Sequence, residues 1–113
     1  MLPSQIMLLL IILFFINFHV VTDQSAQIVH TIIIKEMKFQ PAEITVQKGD
    51  IIVWINKDIV AHNVTEEKTN GWKSSTISDG KSWKMIVKTS SSYFCSLHPI
   101  MKGKISLKKK LLK

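Results

Sequence analysis

The sequence predicts an all-β domain, a small sandwich or barrel of about six to eight short strands, with a hydrophobic segment ahead of it. Two observations carry that expectation. β-Branched and aromatic residues gather in short runs, and turn-forming residues separate those runs at intervals of about eight to twelve residues. No segment after residue 26 reads as a helix.

Taken in order, IVHTIIIKEMKF (Ile28 to Phe39) is a run rich in β-branched residues, as strands are, and Pro41 interrupts it. EITV (Glu43 to Val46) alternates polar and apolar. Lys48 to Asp50 makes a turn, and IIVWIN (Ile51 to Asn56) is a strongly apolar, central strand. Asn56 to Asp58 turns the chain into a further candidate strand, Ala61 to Thr65. Glu66 to Gly80 is polar, carries Asn70-Gly71 and Asp79-Gly80, and reads as loops. SWKMIVK (Ser82 to Lys88) alternates again, Ser90 to Ser92 break it, Tyr93 to Cys95 form a short strand, and Lys104 to Lys108 close the domain.

A chain of 113 residues has room for one domain. Residues Ile6 to Ile16, IMLLLIILFFI, form an unbroken apolar run of 11. That is the length of a signal-peptide core and short of the roughly 20 residues a membrane span needs. Residues 1–26 are therefore expected to be a signal peptide. The alternative is an uncleaved N-terminal membrane anchor, because no Lys or Arg precedes the run and Gln24 stands where a cleavage site prefers a small residue. Either reading exports residues 27–113, into the periplasm or onto the outer side of the cytoplasmic membrane, with any membrane association running through the N-terminal segment.

All 15 basic residues are Lys, against 8 acids, for a formal charge of +7. Residues 1–26 hold one acid, Asp23, and no base, so the exported domain alone carries +8. Nucleic-acid and bidentate phosphate recognition lean on Arg, so no nucleic-acid partner is expected. The balance fits a lysine-rich surface facing an acidic protein or membrane surface better.

Export sharpens the question of the single cysteine. In an oxidising compartment a lone thiol is buried and inert, paired with another chain, or occupied by a ligand. Cys95 stands in YFCSLHPIM (93–101), with His98 three positions on and Met101 three beyond that. On a loop at the end of a strand, such steps can turn thiolate, imidazole and thioether toward one point. These donors suit copper, and two His, one Cys and a weak axial Met make an electron-transfer copper site. The second imidazole has to come from elsewhere. His19 lies in the export segment, and His30, among Ile and Thr of the first strand, reads as a satisfied structural imidazole. His62, in IVAHNV, begins a strand 33 residues before Cys95, and two strand ends that far apart can meet at one pole of a sandwich.

With these residues in view, the chain resembles the small cupredoxins, type 1 blue copper proteins of the plastocyanin, amicyanin and pseudoazurin kind. The resemblance runs from about Lys35 to Leu107, through MKFQPAEITVQKGDIIVWINKD (37–58), AHNV (61–64) and YFCSLHPIMKGKISL (93–107). It implies a Greek-key β-sandwich and one copper ion, cycling between Cu(I) and Cu(II), on His62, Cys95, His98 and Met101. It also implies that Asn63 ties the two ligand loops together, its backbone N-H aimed at the cysteine sulfur. The sequence departs from the family pattern at Ala61, where Pro is usual, and at Ser90 to Ser92, where Gly and Tyr are usual. The His62 to Cys95 interval is also short for the family.

The function so implied is a monomeric, exported shuttle of single electrons between redox partner proteins, with His98 as the electron's way in and out. Leu97, Pro99 and Ile100, with Ile59 and Val60, would form an apolar docking patch, and lysines would steer toward an acidic docking face on the partner. A copper enzyme would need a second copper centre built from further histidines, and only His30 remains in the exported domain, so no enzyme is expected. The alternative is a copper carrier or storage protein delivering copper to an exported acceptor, since the same ligands bind Cu(I). Trp54 and Trp83 are expected in the core, Trp72 in a polar loop carries no expectation, and the tail LKKKLLK (107–113) is expected to be solvated.

Overall fold

The computed structural model of the protein describes residues 3–6 and 26–109. The apolar run expected to be an export signal or anchor lies almost wholly outside the described residues. No helix among the described residues is long and apolar enough to cross a membrane.

Eight strands follow: β1 (Val29–Lys35), β2 (Lys38–Gln40), β3 (Glu43–Val46), β4 (Ile51–Asn56), β5 (Thr65–Glu66), β6 (Ser82–Ile86), β7 (Ser91–Cys95) and β8 (His98–Leu107). They make two four-stranded sheets, ordered β2-β1-β4-β6 and β3-β8-β7-β5. β1 with β4 and β3 with β8 run parallel, and the other pairs are antiparallel. A parallel pair cannot be joined by a hairpin. The chain therefore leaves β1 through β2, crosses to the second sheet as β3, and returns as β4, which gives the expected all-β Greek-key sandwich.

Period-two patterning sets the two inner faces. Ile32 and Ile34 of β1 and Ile52, Trp54 and Asn56 of β4 point inward from one sheet, and Val46, Tyr93, Cys95, Met101 and Ile105 meet them from the other. β4 lies between β1 and β6, as its apolar run predicts. Gly49 and Gly80 sit at φ of 94° and 76°, where a side chain would be strained, in the turns their neighbours predict.

Three segments differ from the sequence expectation. The run from Ile28 to Phe39 is a hairpin, because Glu36 and Met37 take left-handed φ of 54° and 58° and reverse the chain. Only Thr65–Glu66 of the segment after Ala61 forms a strand, while His62 makes an isolated bridge to Ile77. The closing strand begins at His98, well before Lys104. Its pairing with β7 slips, from Phe94 opposite Lys102 to Cys95 opposite His98, which leaves Pro99, Ile100 and Met101 without partners on β7. The stretch after Cys95 is thus a tight turn followed by an interrupted strand, where the sequence suggests an open loop.

Candidate metal centre

The segments that differ from expectation meet at one end of the sandwich. β4 ends inward on Asn56, wholly buried, whose carboxamide donates to the carbonyls of Val60 (2.8 Å) and Ile77 (2.9 Å) while its Oδ1 accepts from the Asp58 N-H (2.8 Å). All its polar atoms are satisfied, and the segment from residue 57 to 61 is wrapped round it. That wrapping places Asp58 beneath His62, four residues on.

The Asp58 carboxylate accepts from the His62 ring through Nε2 (2.8 Å) and from the Glu36 and Met37 amides (2.7 and 3.1 Å). Burial pushes its carboxyl up, but these donors outweigh burial and hold it below the usual carboxylate range. An ionised carboxylate only accepts, so Nε2 carries a proton, and in the neutral ring the lone pair then lies on Nδ1. It also explains how two residues other than Gly sit in the left-handed turn between β1 and β2: their amides share the oxygens that hold the imidazole.

On the other segment, the register slip after Phe94 turns Cys95 and His98 toward each other, and irregularities of this kind commonly re-aim a side chain beside a functional site. The Cys95 sulfur lies 3.7 Å from His62 Nδ1 and 3.8 Å from His98 Nδ1, and the two nitrogens are 3.2 Å apart. Met101 is buried on β8 three residues past His98. Asn63 links the segments: its backbone N-H donates to the Cys95 sulfur (3.4 Å), its Nδ2 to Ser96 Oγ (2.6 Å), and its Oδ1 accepts from the Ser96 N-H (2.8 Å) and Thr65 Oγ1 (3.1 Å).

These donors fit a metal ion. Bonds of about 2.0 Å to nitrogen and 2.3 Å to sulfur, with the separations above, would subtend roughly 106°, 119° and 124°, close to a trigonal set. His2Cys in a trigonal arrangement, with a thioether on hand, is copper chemistry. His62 and Cys95 are buried and His98 is half-buried, and their donor atoms face one another.

His62, Cys95 and His98 converge, with Met101 close by along β8 and Asn63 between the segments. His30 lies apart from them, its Nε2 2.9 Å from Asp50 Oδ2. The sequence reading missed Asp58, Asn56 and Ser96. The signal for Asp58 was an acid four residues before a candidate imidazole, read only as turn chemistry.

A family profile described as copper binding proteins, plastocyanin/azurin family, matches residues 26–108. Amicyanin of Paracoccus versutus is 27% identical over 78 residues, covering 64% of this chain and 59% of the relative. Amicyanin-alpha of Methylorubrum extorquens is 30% identical over 78 residues, covering 64% of this chain and 66% of the relative. The chain thus spans somewhat less than two thirds of the curated relatives it matches. The crystal structure of amicyanin from Paracoccus versutus superposes with a TM-score of 0.62 at 24% identity, covering 75% of this chain and 84% of that one, a likeness of fold.

Proposed function

Starting from a chain that belongs to the plastocyanin/azurin family of copper-binding proteins, we propose that this one is an exported single-electron carrier. His62, Cys95, His98 and Met101 would hold one copper ion. The observation that carries the reading is the convergence of His62, Cys95 and His98, whose donor atoms lie within 4.8 Å of one another though they come from two separate segments. Copper held there supplies one-electron exchange between Cu(I) and Cu(II). The protein's part is to keep the donors still, so that little has to move when the charge changes: Asp58 fixes the His62 ring, and Asn63 fixes Cys95 against it.

The route outward is supported by exposure. His98 is half-buried, and Leu97, Pro99 and Ile100 beside it are exposed, Ile100 by 86%. Ile59 and Val60, on the His62 side, are exposed too. Exposed apolar residues beside a half-buried ligand suit brief docking of redox partner proteins, and the lysines would steer partners with an acidic docking face. Residues 1–26 act as the export signal or anchor, residues 27–113 as the copper domain, a monomer in the periplasm or on the outer face of the membrane. That the protein is no enzyme is supported by the histidine count: His30, the one left over in residues 27–113, is already occupied by Asp50.

The test is a visible spectrum of residues 27–113 with Cu(II), repeated with Cys95→Ala and Met101→Ala. The expected outcome is an intense blue, reversibly reduced form, lost in the first variant and shifted in the second. A colourless complex that only releases Cu(I) to an acceptor would replace electron transfer with copper carriage.

A further inference from the structure

Beneath the copper site lies a group of rings that the site itself does not use. The ring of Trp54, wholly buried, is 5.5 Å from Trp83, 6.0 Å from Trp72 and 5.5 Å from Tyr93, centre to centre. Trp72 is in turn 6.1 Å from Trp83 and 5.8 Å from Tyr93. All five separations fall within the range of interacting aromatic pairs. Trp72, about which the sequence said nothing, is a full member.

The two ends of the group differ. Tyr93 stands two residues before Cys95 on β7, both side chains pointing inward, so its ring is a near neighbour of the thiol along the strand, about 7 Å of backbone away. Trp72 and Trp83 are only half-buried, and Trp72 walls a surface cleft of about 640 Å³ whose lining includes Lys84 and Lys88. Ring-to-ring contact thus runs from a cationic patch of surface to Tyr93, two residues before the ligand Cys95.

We propose that these rings conduct an oxidising equivalent from the surface at Trp72 and Trp83 to the copper, disarming small radical anions that the lysines attract. The proposal rests on the copper-carrier reading above. The radical anion takes one electron from an exposed indole, together with its N-H proton, and leaves as a closed-shell anion. The indole radical is a far stronger oxidant than Cu(II), so it recovers an electron from Cu(I), which becomes Cu(II), and a proton from water. The donor that serves the carrier then restores Cu(I). Phenol oxidation requires a base to take the proton, and the buried Tyr93 hydroxyl has no acceptor beside it among the described residues. Tyr93 therefore bridges without holding the radical, and the equivalent passes on to the metal.

Pulse radiolysis with the carbonate radical anion tests this on copper-free and Cu(I)-loaded protein, following indole-radical absorbance and the Cu(II)-thiolate band together. The expected result is a long-lived radical in the copper-free form. In the loaded form, decay should be first-order and independent of protein concentration, matched by growth of the thiolate band. Trp72→Phe and Trp83→Phe should each diminish that phase, and the double variant should lose it, while static copper binding is retained. Equal radical decay with and without copper, or undiminished band growth in the double variant, overturns the conduit. Failure to form any Cu(II)-thiolate band in a static titration overturns instead the carrier reading beneath it.

Discussion

Truncating Asp58 should expose how much of the site is held by one carboxylate. Asp58→Ala removes the acceptor for His62 Nε2, Glu36 N and Met37 N. The His62 ring is wholly buried, so its N-H cannot turn to water, and a buried donor stripped of a charged partner loses about 1.5–3 kcal/mol. The two amides belong to exposed residues and can rehydrate, so they add little directly. They do, however, stabilise two left-handed residues, each strained by about 1 kcal/mol, and that strain is no longer offset. Together the copper-free variant should lose about 2–4 kcal/mol of stability, and copper affinity should fall about 10- to 100-fold, as for other carboxylates that orient a ligating imidazole. Asp58→Asn keeps an acceptor oxygen without the charge and should lose about half as much. Urea unfolding of the copper-free proteins and competitive copper titration measure both quantities. A loss below about 0.5 kcal/mol with unchanged affinity would refute the claim that Asp58 orients His62.

Two further outcomes are expected. A methyl group at Gly103 would collide with the ring of Tyr93, which is wholly buried and cannot give way, so Gly103→Ala should lower the melting temperature by about 5–20 °C, and an unchanged melting curve would contradict the packing. The hydrogen bond from His30 holds the Asp50 carboxyl below its usual range, with the Gln47 and Ile28 amides assisting against burial. A carboxyl with a lowered folded value contributes stability that is present above the ordinary carboxylate range and lost as pH falls through the folded value. Acid unfolding of the copper-free protein should therefore steepen below about pH 4, and Asp50→Asn should flatten that dependence while lowering stability at neutral pH.

Much of this was legible in the chain because the signals are local. Period-two runs marked β3 and β6, an apolar run marked β4, and Gly49 and Gly80 marked real turns. The donor types at Cys95, His98 and Met101 named the metal before any distance was known. What was hidden depended on contacts between distant segments. Glu36 and Met37 carry no turn chemistry of their own, since neither is Gly, Asn or Asp; their reversal is imposed by a carboxylate 22 and 21 residues away. Trp72 looked like a loop residue because its neighbours are polar. Its side chain nonetheless packs against the core, and its carbonyl accepts from the Glu66 N-H (2.9 Å), which pins that irregular segment to the sheet edge.

The hidden contacts share a direction that bears on the proposed function. Asn56 sets Asp58, Asp58 sets the unprotonated face of His62, and Asn63, next in the chain, reaches across to Ser96 and the Cys95 sulfur. Each link is a hydrogen bond among protein groups that does not depend on a metal. His62 and Cys95 are both wholly buried, so neither can swing into solvent. Copper entering such a site would meet donors already oriented, held by bonds that need not change when it gains or loses an electron. The rigidity that electron exchange favours therefore lies in the polar groups behind the ligands. A chain that kept His62, Cys95, His98 and Met101 but lost Asp58 and Asn63 should still bind copper, and should exchange electrons more slowly because its ligands would have to move.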